Sequence, residues 1–162
     1  MSEFSKITLD GGNDCIEAVQ RLMPLAEEQV AIFSQALEPL LYDQIELCDR
    51  LSALARKNKR SQIRIIAQST RNAVANGHCL VRLAQRLSSY VQIRIPSTPE
   101  LQRFEQSWLI IDDHSICQIA NPQRWEGYVI EHDRLHVRKQ LELFNQAWES
   151  SQPDVHSRRL EI

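Results

Sequence analysis

The sequence predicts an α/β domain, a mixed and largely parallel sheet with helices packed on its faces. Three observations predict it. Short β-rich runs alternate with amphipathic helical stretches through the first two thirds of the chain, the order that builds crossover units around one sheet. Two apolar runs around Asp112-Asp113-His114-Ser115 then read as a hairpin from Ser107 to Asn121, and one helix closes the chain. At 162 residues with no linker or low-complexity tract, the chain fits one domain over residues 1–150, with residues 151–162 left as a solvated tail.

In chain order, Ile7 to Leu9 is a short β-type run, and Asp10-Gly11-Gly12-Asn13 is a strong turn ahead of a helix. From Asp14, the apolar residues Ile16, Val19, Leu22 and Met23 follow helical spacing, with Leu25 and Ala26 beyond them. Gln29 to Ser34 reads as a buried strand, and Leu37 to Tyr42 as an apolar loop. Asp43 is placed to cap a helix whose inner side carries Ile45, Leu47, Cys48, Leu51, Leu54 and Ala55. Gln62 to Gln68 is a second strand; Ser69-Thr70 caps the next helix, and Gly77 breaks it before His78 to Leu87 resumes. Val91 to Ile95 is a third strand, closed by Pro96, and Ser97 to Glu105 is a polar connection. After the hairpin come a strand at Tyr128 to Ile130 and a helix from Asp133 or Arg134 to Trp148, striped by Leu135, Leu141, Phe144 and Trp148.

Composition narrows the function classes. Charged residues are 25% and hydrophobic ones 43%, the balance of a folded chain, and the net charge of −2 gives no general pull toward nucleic acid or anionic lipid. Any such binding needs a local patch. Arg56, Lys57, Lys59 and Arg60 offer one, although cations at a helix end also serve to meet its partial negative charge. No apolar run approaches the ~18 residues of a membrane span. The first residues lack a charged segment followed by an apolar core, so a cytoplasmic protein is expected. Cys15, Cys48, Cys79 and Cys117 lie 31 to 38 residues apart with no Cys-x-x-Cys pair, so reduced thiols and no metal are expected.

Few constellations carry chemistry. Asp112 and Asp113 are adjacent and on a strand point to opposite faces, which makes a poor carboxylate pair. His132 and His136 have the spacing to share a metal on a helix, but Asp133 stands where a zinc protease has Glu, and a helix start between them spoils the alignment. With four glycines in the whole chain, a glycine-rich phosphate cradle is excluded, and no nucleophile elbow is present.

The order of elements and the residues that fill them resemble one half-domain of the phospholipase D-like family, from about Ile7 to Trp148. The resemblance is carried by Val-Ala-Ile-Phe-Ser, Ile-Arg-Ile-Ile-Ala, Val-Gln-Ile-Arg-Ile, the Leu-Ile-Ile-Asp hairpin, an Ala-Asn turn and Tyr-Val-Ile-Glu. The family signature is His-x-Lys, four residues and Asp, with Gly-Ser-x-Asn after the next strand. Anchored on Asp112, the His position falls on Glu105 and the Lys position on Ser107. Asn121 stands near the later Asn, but Ile119-Ala120 replaces Gly-Ser. Moving the anchor to Asp113 gives Gln106 and Trp108, which is no better.

In the family, the His attacks phosphorus and the Lys neutralises the phosphoryl oxygens. The resemblance therefore implies a catalytically degenerate member. Glu105 would oppose an anionic diester, and Ser107 carries no charge. It also implies no cofactor and a homodimer in which two motif faces meet. The expected role is a binding or scaffolding module, with a protein partner as one kind of ligand. The alternatives are a nucleic-acid or phosphate-ligand module using Arg56, Lys57, Lys59 and Arg60, or Arg64 and Arg71, and a phosphodiesterase with a relocated histidine, His78 or His114.

Overall fold

The computed structural model describes residues 6–158. Among these residues, eight strands form one sheet in the order β1-β7-β6-β5-β2-β3-β4-β8. They are β1 (Lys6–Asp10), β2 (Gln29–Ser34), β3 (Gln62–Ala67), β4 (Val91–Pro96), β5 (Ser107–Ile111), β6 (Ser115–Asn121), β7 (Glu126–Ile130) and β8 (Ser151–Pro153). Only β2–β3 and β3–β4 pair in parallel. The other neighbours are antiparallel, so the sheet is mixed, and the expectation of a largely parallel one is corrected. The reason is connection length. Helical crossovers return the chain in the same direction, whereas the direct links from β5 to β7 reverse it each time.

Side-chain alternation along β2 assigns the two faces. Val30 and Ile32 join a core with Ile63, Ile65, Val91, Leu109, Ile111 and Cys117. That face is covered by α1 (Gly12–Leu22), α2 (Pro39–Tyr42), α3 (Ile45–Lys57), α4 (Arg71–Ala75) and α5 (Cys79–Arg86). Ala31 and Phe33 point the other way, to Ile66, Trp108, Ile110 and Ile116. There α7 (Arg134–Glu149) lies across the sheet and buries Val137, Phe144, Ala147 and Trp148. Because both faces of β2 and β5 are covered, these strands read as unbroken apolar runs.

Local signals fared unevenly. Gly77 takes φ +64°, the left-handed conformation that separates α4 from α5, as its position suggests. Gly127 is needed for a different reason. A Cβ there would overlap the Gln118 carbonyl and the Ile119 Cα, where β6 is irregular between Ile119 and Asn121. Leu37 to Tyr42 contains the short α2, and Ser97 to Glu105 contains α6 (Pro99–Gln102) with Thr98 accepting from the Leu101 amide.

Two expected caps do other work. Asp43 leaves α3 uncapped and accepts the Cys79 amide of α5 at 2.9 Å instead. The Thr70 hydroxyl, next to α4, donates to Asp154 Oδ2 at 2.7 Å.

That last bond corrects the expectation of a solvated tail for residues 151–158. β8 pairs with the end of β4, Asp154 is 3% exposed, and its carboxylate also accepts the His156 and Ser157 amides. Residues 159–162 of the expected tail lie outside the described residues. No helix among the described residues is long and apolar enough to cross a membrane. Thr70→Val is expected to lower stability by about 2 kcal/mol in urea unfolding, because it removes a buried hydrogen bond to a charged acceptor.

Candidate functional site

The ends of the sheet differ in chemistry. β5 runs opposite to β2, with Trp108 beside Phe33, so Ser107 lies at the end of the sheet where β2 finishes. Ile119 of β6 pairs with Ser107, which brings Asn121 to the same end. Glu105, Ser107 and Asn121 are thus grouped at one end. Asp112 is not with them: it follows β5, roughly 16 Å away by strand rise.

Ser107 is 1% exposed, and its hydroxyl meets the Tyr42 hydroxyl at 3.2 Å. Tyr42, on α2, is itself buried. Burial first, and then the negative charge of Glu38, push its phenol far above the ordinary range, so it stays protonated. Ser34, at the end of β2, donates to Glu38 in a short hydrogen bond and accepts the Leu37 amide at 2.8 Å. Leu37 adopts φ +54° in this turn. Glu105 is exposed, and Asn121 uses its side-chain oxygen to accept the Gln123 amide at 3.2 Å. On the other face, Gln106 accepts from Trp108 Nε1 and Gln118 Nε2, and the Tyr128 hydroxyl donates to Gln118.

The arrangement holds hydroxyls, amides and carboxylates. Glu105, Ser107 and Asn121 present neither a nucleophilic imidazole nor a cation. Ser107 has no room to approach a substrate because Tyr42 covers it. Tyr42, Ser34 and Glu38 were not foreseen; the apolar Leu37–Tyr42 run hid a buried phenol, and only the crossover of α2 over β5 brings it to Ser107.

His78 sits beside this end but faces inward. It is 1% exposed; Nε2 lies 3.0 Å from the Leu37 carbonyl, and Nδ1 accepts the Leu80 amide at 3.1 Å. That pair of contacts requires the proton on Nε2 and leaves no nitrogen lone pair for attack. His78 is therefore corrected from a candidate nucleophile to the N-cap of α5.

His114 belongs to the opposite end, next to Asp112. Its Nδ1 meets Ser115 Oγ at 2.7 Å, its Nε2 stands 3.7 Å from Asp112 Oδ2, and its ring stacks on His132 with centroids 5.1 Å apart. His132 precedes α7 and His136 lies within it, with its amide bonded to Asp133.

Asp112 and Asp113 do diverge. The Asp112 carboxylate accepts the amides of Glu27, Glu28 and Gln29 at 2.9, 3.0 and 2.7 Å. Asp113 instead meets Arg134 and Arg138 on α7. Partial burial pushes the Asp113 carboxyl up, but hydrogen bonds and charge from Arg138 and Arg134 outweigh it and hold the group below the ordinary carboxylate range.

Arg56 and Lys57 end α3, and Lys59 and Arg60 follow, all exposed. Asn58 donates to the Glu27 carbonyl, so this cluster sits at the Asp112 end, a sheet length from Ser107. Arg64 is on β3 under α7, over the rings of Phe144 and Trp148, while Arg71 is exposed at the start of α4.

The cysteines divide into two pairs. Cys15 and Cys117 are buried free thiols; burial raises Cys15 to about 11 and Cys117 well above that. Cys48 of α3 and Cys79 of α5 form a disulfide, which corrects the expectation of reduced thiols throughout. Their spacing gave no hint, because the pairing depends on α3 and α5 lying side by side.

Comparison with solved structures defines the class. The chain is similar to Nuc from Salmonella typhimurium, a phospholipase D family member, with a TM-score of 0.63 and 13% identity over 94% of this chain and 97% of that one. NucT from Helicobacter pylori gives 0.64 and 12% over 94% and 100%. TrmBL2, described as an archaeal chromatin protein with a novel mode of DNA binding, gives 0.64 and 14% over 95% of this chain, which spans 56% of TrmBL2. The fold is phospholipase D-like. The chain belongs to the family described as Domain of unknown function (DUF7931), whose model matches residues 12–160. No curated protein matches it in sequence.

Two predictions follow the geometry. Asp112→Ala is expected to cost roughly 3 kcal/mol, because three amides lose a charged acceptor and Ala must hold the φ of +50°. Asp112→Asn, which tolerates that conformation and keeps an acceptor, should lose clearly less in the same denaturation assay.

Burial, reinforced by the Arg82 charge, lowers the His78 pKa below the ordinary 6.5, against the raising influence of Asp43, the Leu37 contact and Glu38. The unfolded chain therefore takes up a proton near 6.5 that the folded one refuses. Stability conferred by neutral His78 is complete above that pH and declines as pH falls through it, until the folded pKa is reached. Urea midpoints from about pH 8 to about pH 5 should show this decline, and His78→Asn should flatten it.

Proposed function

We propose that this chain is a catalytically degenerate phospholipase D-like domain that acts as a homodimeric binding or scaffolding module. The observation that carries the reading is Ser107, buried beneath Tyr42 at the position where the family has its lysine. With Glu105 at the histidine position, an anionic diester would meet negative charge and no nucleophile. The purified protein should show no hydrolysis of nucleotide, lipid or generic diesters with chelator present. Turnover that Asp112→Asn or His114→Ala abolishes would overturn the reading.

A second copy is the partner that the end carrying Ser107 suits. Leu40 is 42% exposed and Ile45 73% exposed where α2 meets α3, and Leu40 and Trp125 lie against Gly12. Unpaired apolar groups of this size gather where another surface covers them. Sedimentation should find a dimer, and Ile45→Glu should convert it to a folded monomer, since so exposed a side chain adds little to the core. A dimer indifferent to Ile45→Glu and Leu40→Glu would place the interface elsewhere.

The nucleic-acid reading rests on the exposed Arg56, Lys57, Lys59 and Arg60, and on the likeness to TrmBL2, described as binding DNA. It is the second reading because the exposed acids Glu27 and Glu28 border the same end and the net charge is −2. If it holds, log K for duplex DNA should fall with log salt at a slope of roughly −0.9 for each phosphate contact, and Lys57→Glu with Arg60→Glu should shrink that slope. Binding unaffected by salt would remove it.

A further inference from the structure

We propose that Cys48 and Cys79 are a reversible dithiol and that, when reduced, they form with Asp43 and His78 a tetrahedral site for a zinc-like divalent cation. Donor atoms of Asp43, His78 and Cys79 all lie within 4.8 Å of one another, the one such group of three among the described residues. Cys48 Sγ stands outside that group and is the fourth donor, held next to it by its bond to Cys79 Sγ. Two sulfurs, one imidazole and one carboxylate are the donor set that suits zinc.

The surroundings are arranged as such a site needs. His78 Nε2 faces the Leu37 carbonyl, the contact that orients an imidazole, and its Nδ1 lone pair, which holds the Leu80 amide, is the one an ion would take. Asp43 is exposed and gives Oδ1 to the Cys79 amide, which fixes the carboxylate beside the sulfur. Cys48 is half-buried, so a reductant and an ion can reach the pair from the Asp43 side. The donors come from two elements only, the entry to α3 and the start of α5, so a bound ion would replace the disulfide as the link between them. The cost is the Leu80 amide's bond to His78 Nδ1, set against two metal–thiolate bonds.

A dithiol reductant gives two electrons and two protons to the Cys48–Cys79 bond and becomes its own disulfide. The divalent cation then displaces the proton from each thiol, so two protons are released per ion bound. The oxidised protein lacks both thiolates and cannot hold the ion in this way. Cys79 Sγ lies 3.4 Å from the carbonyl of Tyr42, the residue that covers Ser107, so the exchange occurs directly behind the end of the sheet proposed as the binding face.

The test uses the full chain and cobalt(II) as the probe. Alkylation under denaturing conditions should count two thiols in the oxidised protein and all four after reduction. Reduced protein should bind one equivalent of cobalt with thiolate charge-transfer absorption, and zinc should displace it. The band should be absent from oxidised protein, lost in Cys48→Ser, and kept in Cys117→Ala. Asp43→Asn, an exposed change, should weaken cobalt affinity roughly tenfold or more while the protein stays folded. Failure of reduced protein to give the band, a band that survives Cys48→Ser, or four reactive thiols without reduction would each overturn the proposal.

Discussion

The antiparallel pairing of β2 with β5 is the seam on which the molecule depends. On one side of it stand the parallel strands β2, β3 and β4, each reached by a helical crossover. On the other stand β5, β6, β7 and β1, which pair antiparallel throughout. Val30 to Phe33 faces Ile111 to Trp108 across the seam, and each of these side chains is buried. Both strands send side chains into the two cores, one under the α1–α5 layer and one under α7. A slip of one residue here would turn both cores inside out.

Each end of the seam is locked by a different device. At one end the Asp112 carboxylate gathers three consecutive amides from the chain entering β2. At the other, Tyr42 comes over from α2 to meet Ser107. The first lock is charged and lies among partly exposed groups, so water offsets some of its strength. The second is neutral and fully buried, so its partners are satisfied only by each other. The charged lock commits the Asp112 carboxylate to backbone amides, and the neutral lock commits the Ser107 hydroxyl to Tyr42.

The same economy governs the polar residues near α5. Asp43, His78 and Thr70 each stand where a helix cap would be expected, yet Asp43 and His78 both serve α5, and Thr70 holds the C-terminal segment. A short helix of eight residues thereby receives two side-chain acceptors at its start. The same crowding of acceptors beside a disulfide makes the one group of three metal-type donors found among the described residues.

The sequence by itself determined the elements and their class. Apolar periodicity placed β2 to β7 and the long helices because burial on one or two faces writes itself locally into every second or every third-to-fourth residue. Strand direction on the far side of the seam, the docking of residues 151–158, the Cys48–Cys79 bond and the covering of Ser107 by Tyr42 were decided only by tertiary structure. The last three join residues between 31 and 84 positions apart. At such separations neither spacing nor propensity records which side chains will meet. The contact is selected by how helices cross the sheet, and a local pattern carries no trace of that choice.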